Sequence, residues 1–206
     1  MIFRKEHKLD RLEDVRDTAV WSITNKVPKG TINFAISEPT FPMPGVIRNA
    51  VQELVLSEDL SYSPVQGLDE LREMVASRFQ YTYKSDGVTI SAGASEALYS
   101  IMVSLTAYGD TILLPSVGNP SYRAVAELIG VDVQTYPIHF GQALQFRAEE
   151  IEPLLKSDIR LVLVNTPLDP TGQVFTHEEM TKLANSCAEY DTLLLVDESY
   201  HEIYFD

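Results

Sequence analysis

The 206-residue sequence is poor in cysteine, histidine and basic residues, and each shortage argues against a class of protein. One cysteine, Cys187, leaves no disulfide framework, and its place in a helical pattern favours a core thiol over a nucleophile. The four histidines share no spacing typical of metal ligands, so we expect no metal site. Only 16 Lys and Arg stand against 30 Asp and Glu, and a net charge of -14 disfavours nucleic acid and anionic membranes as partners.

Long hydrophobic runs are also absent. No apolar stretch approaches the roughly 20 residues that a membrane-spanning helix needs. The N-terminal sequence MIFRKEHKLDRLEDVRD lacks the apolar core of a secretory signal. We therefore predict a cytoplasmic protein with no membrane partner.

What the sequence does contain is an alternation of short apolar runs with helical patterns. The runs are VTIS, TILLP, VDVQTYP, RLVLVN and TLLLVD, and helices are predicted near residues 95–107, 121–129 and 177–190. This alternation is typical of buried parallel strands in a three-layer α/β/α sandwich with a mainly parallel sheet. We predict that residues 1–45 form an N-terminal arm with a Pro-rich lead-in, and that residues 46–206 form one large domain.

A glycine-containing turn follows the run VTIS. Ligands of open parallel sheets bind beyond the carboxyl ends of the strands, so this turn is a candidate binding segment. Gly93 allows a tight turn, and Ala94 and Ser95 open a helix whose free N–H groups could hold a phosphate. Alternatively, Gly93 serves only as a strand-to-helix turn and Ser95 as an N-cap. The residues alone leave both interpretations open.

Asp197 follows the apolar run TLLLV, where an unpaired carboxylate would be costly. A protonated pyridine nitrogen, such as that of pyridoxal 5′-phosphate, would satisfy it, and Tyr200 could reach the phenolic oxygen of the same ring. Capping of a neighbouring helix, or pairing with an arginine, is the alternative.

The loop TPLDPTGQVF follows the run RLVLVN and carries Asp169 at its centre. Its two prolines stiffen it. Thr176 and Glu179 have the spacing of a capping box that begins the next helix.

Five stretches occur in an order that resembles the fold-type-I, pyridoxal phosphate-dependent aminotransferases of the aspartate aminotransferase superfamily, class I/II. They are NFAISEPTFPMP, YSPVQGLDELR, VTISAGASEAL, TPLDPTGQVF and VDESYHEIYF. The lead-in of TPLDPTGQVF is similar to that of kynurenine-aminotransferase-like members. The resemblance implies pyridoxal 5′-phosphate as cofactor, and an amino acid and a 2-oxo acid as substrates.

The resemblance also implies roles for individual residues. Ala94 and Ser95 would bind the cofactor phosphate through backbone N–H groups, with the Ser95 hydroxyl adding a bond. Asp197 would pair with the pyridine nitrogen, and Tyr200 would bond the ring oxygen. Tyr62 would reach the phosphate of the neighbouring subunit, which implies a homodimer with a shared active site.

Three residues depart from the pattern of the family. Asp169 stands where Asn is usual, so it cannot donate to the ring oxygen and would repel a phenolate unless protonated. Asn119 stands where an aromatic ring commonly stacks on the cofactor, with Tyr122 three residues later as a possible replacement. Ser37 stands where Gly is usual near the substrate carboxylate. These departures leave open a reaction other than ordinary transamination.

The lysine that binds the cofactor in this family lies in a Ser-x-x-Lys segment, and none of the lysines present matches it. We interpret the chain as the N-terminal half of an aminotransferase-like enzyme that is inactive alone. The alternative is a non-catalytic module, derived from the same fold, that senses the cofactor or mediates dimerisation.

Overall fold

The computed structural model describes residues 23–24, 26–36, 40–57, 61–79, 84–139 and 147–203. The chain divides into a larger unit, Met1–Ser37 with Ala94–Asp206, and a smaller unit, Glu38–Gly93. Much of the predicted arm lies outside the described residues. The predicted boundary after residue 45 therefore stays a prediction.

The smaller unit contains helices α1 (Gly45–Leu56) and α2 (Asp69–Arg78) and a 3₁₀ turn (Ser85–Gly87). Two acidic residues in the first turn of α2 suit the positive end of the helix dipole. The turn before α2 needs a glycine, because Gly67 has a φ of +102° and a Cβ there would lie 2.5 Å from the Ile90 side chain.

Arg72 of α2 connects this helix to the segment that follows it. Its side chain is buried and donates from Nε to the Val88 carbonyl at 2.9 Å and from Nη2 to the Ser85 carbonyl at 2.6 Å. Its third contact is an ion pair with Asp69 at 3.0 Å. The guanidinium thus bonds two backbone carbonyls of the segment that contains the 3₁₀ turn, and it holds that segment against α2.

The larger unit is built on one parallel sheet of four strands in the order β2-β1-β3-β4. The strands are β1 (Thr111–Pro115), β2 (Asp132–Tyr136), β3 (Ile159–Asn165) and β4 (Leu193–Asp197). The two central strands, β1 and β3, are buried along nearly their whole length. This burial explains why their sequences are continuously apolar rather than alternating.

Helices cover both faces of the sheet. They are α3 (Ala94–Leu105), α4 (Pro120–Ile129), α5 (Ala148–Leu155) and α6 (His177–Glu189). Ile112 and Leu114 of β1 pack in a core cluster with α3 and α4, whereas Leu113 packs in a second cluster with α5 and α6. Because side chains alternate across a strand, each strand contributes to both cores. The predicted three-layer α/β/α sandwich is confirmed.

The sequence predicted most of these elements. The runs TILLP, VDVQTYP, RLVLVN and TLLLVD form strands, and the three predicted helices correspond to α3, α4 and α6. The capping box is present, since Thr176 Oγ1 accepts from the Glu179 N–H at 3.2 Å and the Thr176 N–H donates to the Glu179 carboxylate at 2.9 Å. Cys187 is a buried core thiol, as predicted.

One predicted strand is wrong. Residues 88–91, the run VTIS, form no strand. Their backbone bonds to turns instead, from the Val88 N–H to the Ser85 carbonyl at 3.1 Å and from the Ile90 N–H to the Gln66 carbonyl, 24 residues earlier, at 2.9 Å. A strand requires a neighbouring strand as partner, and here a turn takes that place. No helix among the described residues is long and apolar enough to cross a bilayer.

Candidate functional site

The carboxyl ends of β3 and β4 lie side by side. Asn165 and Asp197, the last residues of these strands, are in register. The Asn165 Nδ2 amide and the Thr166 N–H each donate to the Asp197 carbonyl at 3.0 Å. Both strand ends are therefore tied together where the side chain of Asp197 leaves the sheet.

The Asp197 carboxylate accepts three hydrogen bonds from the protein. The Tyr122 hydroxyl donates to Oδ2 at 2.8 Å. The Ser199 N–H and hydroxyl donate to Oδ1 at 3.0 and 2.6 Å. A carboxylate offers roughly four acceptor positions. Asp197 thus has room for about one more donor of suitable direction.

Tyr122 lies on α4 and is 4% exposed. Burial raises the pKa of its hydroxyl far above the ordinary value, and the neighbouring Asp197 and Asp169 carboxylates raise it further. The hydroxyl therefore stays protonated and acts as a donor. The sequence indicated Tyr122 only as a possible replacement for the aromatic ring that stacks on the cofactor. Its bond to Asp197 was not predicted, because 75 residues separate the two.

Asn119 is the N-cap of α4, and its side chain also reaches Asp169. Its Oδ1 atom accepts from the Ser121 N–H at 2.9 Å, as an N-cap side chain does. Its Nδ2 atom donates to Asp169 Oδ2 at 3.2 Å. The Asp169 N–H in turn donates to Asn165 Oδ1 at 2.7 Å. The loop after β3 is thereby held against the start of α4.

Helix α3 begins at Ala94, and Ser95 lies in its first turn. Ser95 is therefore inside the helix, and the alternative that made it the N-cap is wrong. Gly93, directly before the helix, has a φ of +85°, as the predicted tight turn requires. The Ser95 hydroxyl is exposed and has no hydrogen-bond partner within the described part of the chain. The free N–H groups of this first turn remain available to an anion.

A single cavity of about 150 Å³ collects most of the predicted site residues. Its lining consists of Ala94, Ser95, Leu98, Asn119, Ser121, Tyr122, Asp169, Asp197, Ser199 and Tyr200. Sequence reasoning missed Leu98, Ser121 and Ser199 as lining residues. The Asp-x-Ser spacing of residues 197 and 199 was the available signal for Ser199, because Asp side chains commonly accept bonds two residues on.

Two predicted site residues are not in this cavity. Tyr62 belongs to the smaller unit and its side chain is fully exposed. Ser37 lies outside the described residues. Their assigned roles stay predictions.

The cavity is lined both by negative side chains and by the positive end of a helix. Two carboxylates, Asp169 and Asp197, line it, and neither lysine nor arginine is among its described lining residues. The start of α3, at Ala94 and Ser95, contributes the positive end of a helix dipole. Such a cavity suits a small ligand that carries both a protonated nitrogen and an anionic group. No group of His, Cys, Asp and Glu suited to a metal ion occurs among the described residues.

Comparison with known proteins is consistent with this geometry. The family profile described as "Aminotransferase class I and II" matches residues 29–206. The probable aspartate aminotransferase of Methanocaldococcus jannaschii is 28% identical over 200 residues, which cover 95% of this chain and 53% of that protein. The probable kynurenine–oxoglutarate transaminase of Saccharomyces cerevisiae is 28% identical over a gapped alignment of 216 positions, which covers 90% of this chain and 48% of that protein.

Among solved structures, the N-succinyldiaminopimelate aminotransferase of Mycobacterium tuberculosis superposes with a TM-score of 0.88 at 22% identity, over 97% of this chain and 54% of that one. At this identity the similarity shows the fold alone. The chain spans about half the length of the curated relatives it matches.

Proposed function

The chain belongs to the aminotransferase class I and II family, and we propose that it forms the part of a pyridoxal phosphate-dependent aminotransferase that holds the cofactor ring and phosphate. The whole protein would exchange the amino group of an amino acid with a 2-oxo acid. The single observation that carries this proposal is that one cavity is lined both by Asp197 and by the start of α3. A pyridoxal phosphate molecule has the complementary pair of groups, a ring nitrogen that can carry a proton and a phosphate.

The remaining acceptor position of Asp197 fits a ring nitrogen. A protonated pyridine nitrogen donates one hydrogen bond, whereas a guanidinium presents several donors in a planar fork. With Oδ2 bonded to Tyr122 and Oδ1 bonded twice to Ser199, Asp197 has no free pair of oxygens for a fork. This favours the pyridine partner over the arginine that the sequence left open.

Different residues of this chain would contact the ring nitrogen, the phenolic oxygen and the phosphate of the cofactor. When bound, pyridoxal phosphate supplies an electron sink for the reacting substrate. Asp197 would hold a proton at the ring nitrogen, and Tyr200 would donate to the phenolic oxygen of the ring. The N–H groups of Ala94 and Ser95 would bind the phosphate, together with the Ser95 hydroxyl. Asp169 would lie near the phenolic oxygen without a hydrogen to donate, which distinguishes this chain from the family pattern.

Other parts of the proposal come from the resemblance. The family's cofactor-binding lysine lies in a Ser-x-x-Lys segment that none of the lysines of this sequence matches, so we propose that this lysine is not among these 206 residues. The whole protein would be a homodimer in which Tyr62 reaches the phosphate of the neighbouring subunit. A cytoplasmic location stays a prediction from the N-terminal sequence.

A non-catalytic, cofactor-sensing module remains the second candidate. The observation that favours it is the absence of a lysine among the described lining residues. Such a module would bind the cofactor in the same cavity but would not need the rest of an aminotransferase. Assay of the whole protein with amino acid and 2-oxo acid pairs separates the two candidates.

The experiment that tests the cofactor site is a titration of the chain with pyridoxal 5′-phosphate, followed by the change in cofactor absorbance. We expect reversible binding that Asp197→Asn weakens at least about tenfold, because the charge opposite the ring nitrogen is lost. The matched control is Asp191→Asn, an identical exchange in an exposed turn at the other end of β4. Equal binding by the Asp197→Asn variant and the wild-type chain would contradict the proposal.

A further inference from the structure

Two donors hold the Asp197 carboxylate from different elements of the fold. Tyr122 approaches Oδ2 from α4, and Ser199 approaches Oδ1 from the segment that follows β4. The resemblance assigned no role to Ser199, and it connected Tyr122 with the cofactor only as a possible replacement for a stacking aromatic ring. Because each oxygen has its own donor, the carboxylate cannot rotate about χ2 without breaking bonds on both sides.

The two donors differ in how firmly they are placed. Tyr122 packs in the core cluster with Leu98, Met102 and Ala126, so its ring has no freedom to follow a moving carboxylate. Ser199 is exposed and lies two residues after Asp197, where both its N–H and its hydroxyl reach the same oxygen. One side of the carboxylate is thus held by the core, and the other by a local turn.

We propose that Tyr122 and Ser199 are positioning residues that aim the one remaining acceptor position of Asp197 at a single donor, the protonated ring nitrogen of the cofactor. This inference rests on the proposed function for the identity of that donor. It also predicts selectivity, since a ligand with one N–H donor in the ring plane is satisfied and a forked donor is not.

A purely structural role for Tyr122 is the competing explanation. A buried tyrosine needs some acceptor for its hydroxyl, and Asp197 could be no more than that acceptor. Tyr136 shows this simpler arrangement in the same unit: it is fully buried, and its hydroxyl donates to the Leu163 backbone carbonyl at 3.2 Å. Tyr136→Phe is therefore the matched control for Tyr122→Phe.

The first measurement uses the chain without ligand. The ¹³Cγ resonance of Asp197, identified by its loss in Asp197→Asn, reports the bonding of the carboxylate. We expect Tyr122→Phe and Ser199→Ala each to shift this resonance, and Tyr136→Phe to leave it in place. An unshifted resonance in both Tyr122→Phe and Ser199→Ala would overturn the proposal, whatever the cofactor does.

The second measurement uses pyridoxine 5′-phosphate labelled with ¹⁵N in the ring, a cofactor analogue that has no aldehyde and needs no lysine. We expect Tyr122→Phe to weaken its binding about tenfold and Ser199→Ala, which keeps the backbone N–H bond, about threefold. The ¹⁵N chemical shift should report a smaller protonated fraction of the ring nitrogen in Tyr122→Phe, and Tyr136→Phe should match the wild-type chain in both respects.

The outcomes separate the two proposals. If Asp197→Asn loses binding while Tyr122→Phe and Ser199→Ala bind and protonate the ring like the wild-type chain, the positioning inference is wrong and the proposed function stands. If the wild-type chain does not bind the analogue, the cofactor part of the proposed function fails. Shifts of the Asp197 ¹³Cγ resonance in Tyr122→Phe and Ser199→Ala would then support only the statement that these two residues hold Asp197 in place. Ser199→Ala keeps the test available if Tyr122→Phe does not fold, because Ser199 is exposed.

Discussion

Asn119 donates its side-chain amide to the Asp169 carboxylate across 3.2 Å, although 50 residues separate them in the sequence. By the resemblance drawn from the sequence, both residues depart from the pattern of the family, Asn119 where an aromatic ring is expected and Asp169 where Asn is expected. The two departures therefore contact each other. Because Asn119 also caps α4 through its Oδ1 atom, the direction of its amide hydrogens toward Asp169 is determined by the helix.

The first prediction concerns the charge of Asp169. Asp169→Asn keeps an acceptor for Asn119 and removes a negative charge from the cavity, so we expect pyridoxine 5′-phosphate to bind as tightly as before or several-fold tighter at pH 8. The measurement is a binding titration, with Asp158→Asn, an exposed exchange outside the cavity, as control. Weaker binding by Asp169→Asn would show that the carboxylate itself contacts the ligand favourably.

If the whole protein catalyses the transamination proposed above, the same Asp169→Asn exchange should leave that activity intact or raise it, because it restores the residue that the resemblance gives as usual. The rate of a single turnover with an amino acid substrate measures this. A loss of activity would point to a reaction other than ordinary transamination.

The second prediction separates the two tasks of Asn119. Asn119→Ala removes the N-cap of α4 and the donor to Asp169, and we expect the free energy of unfolding to fall by about 1–2 kcal/mol. Asn119→Ser keeps a capping oxygen but cannot reach Asp169 with an amide. Its stability, measured by urea denaturation, should lie within about 0.5 kcal/mol of the wild-type chain. Equal losses in the two variants would mean that the contact with Asp169, rather than the cap, carries the stability.

The third prediction concerns Arg72 in the smaller unit. Arg72→Lys retains the charge but supplies one nitrogen in place of the Nε and Nη2 atoms that bond the Val88 and Ser85 carbonyls, so we expect the local free energy of unfolding to fall by about 2 kcal/mol. Hydrogen exchange of residues 84–91 should become correspondingly faster. Arg48→Lys in the exposed helix α1 is the control, and unchanged protection of residues 84–91 in Arg72→Lys would be inconsistent with this account.

The fourth prediction concerns the buried thiol of Cys187. Burial raises its pKa from an ordinary value near 9 to about 11. The folded chain thus holds this proton more tightly than the unfolded chain, so the stabilising contribution is complete below pH 9 and is lost as the pH rises to about 11. We expect the free energy of unfolding to fall by about 2 kcal/mol more over this range in the wild-type chain than in Cys187→Ala.

The test for Cys187 is the difference in slope between the two proteins, because other groups titrate in the same range in both. Parallel pH profiles would show that the thiol titrates alike in the folded and unfolded states. Alkylation by iodoacetamide at pH 8 gives a second readout: the thiol should react only after unfolding, since its thiolate form is scarce while buried.

The sequence by itself determined the elements whose hydrogen bonds are local or whose burial is complete. The runs TILLP and RLVLVN are apolar throughout because both faces of β1 and β3 are covered, and burial of that kind is visible in the residues themselves. The capping box of Thr176 and Glu179 involves atoms three residues apart, so its spacing was sufficient to predict it. Asp197 was placed at a strand end by the same local pattern.

Only the tertiary structure decided which of these elements meet. The run VTIS has the composition of a strand but bonds to a turn at Gln66, because a strand exists only where a partner strand does. The contacts of Asp197 with Tyr122 and of Asp169 with Asn119 depend on the strand order β2-β1-β3-β4 and on which side of α4 faces the sheet. The spacing of neighbouring residues reveals neither the strand order nor the orientation of α4, since both arise when the two helical layers pack against the sheet.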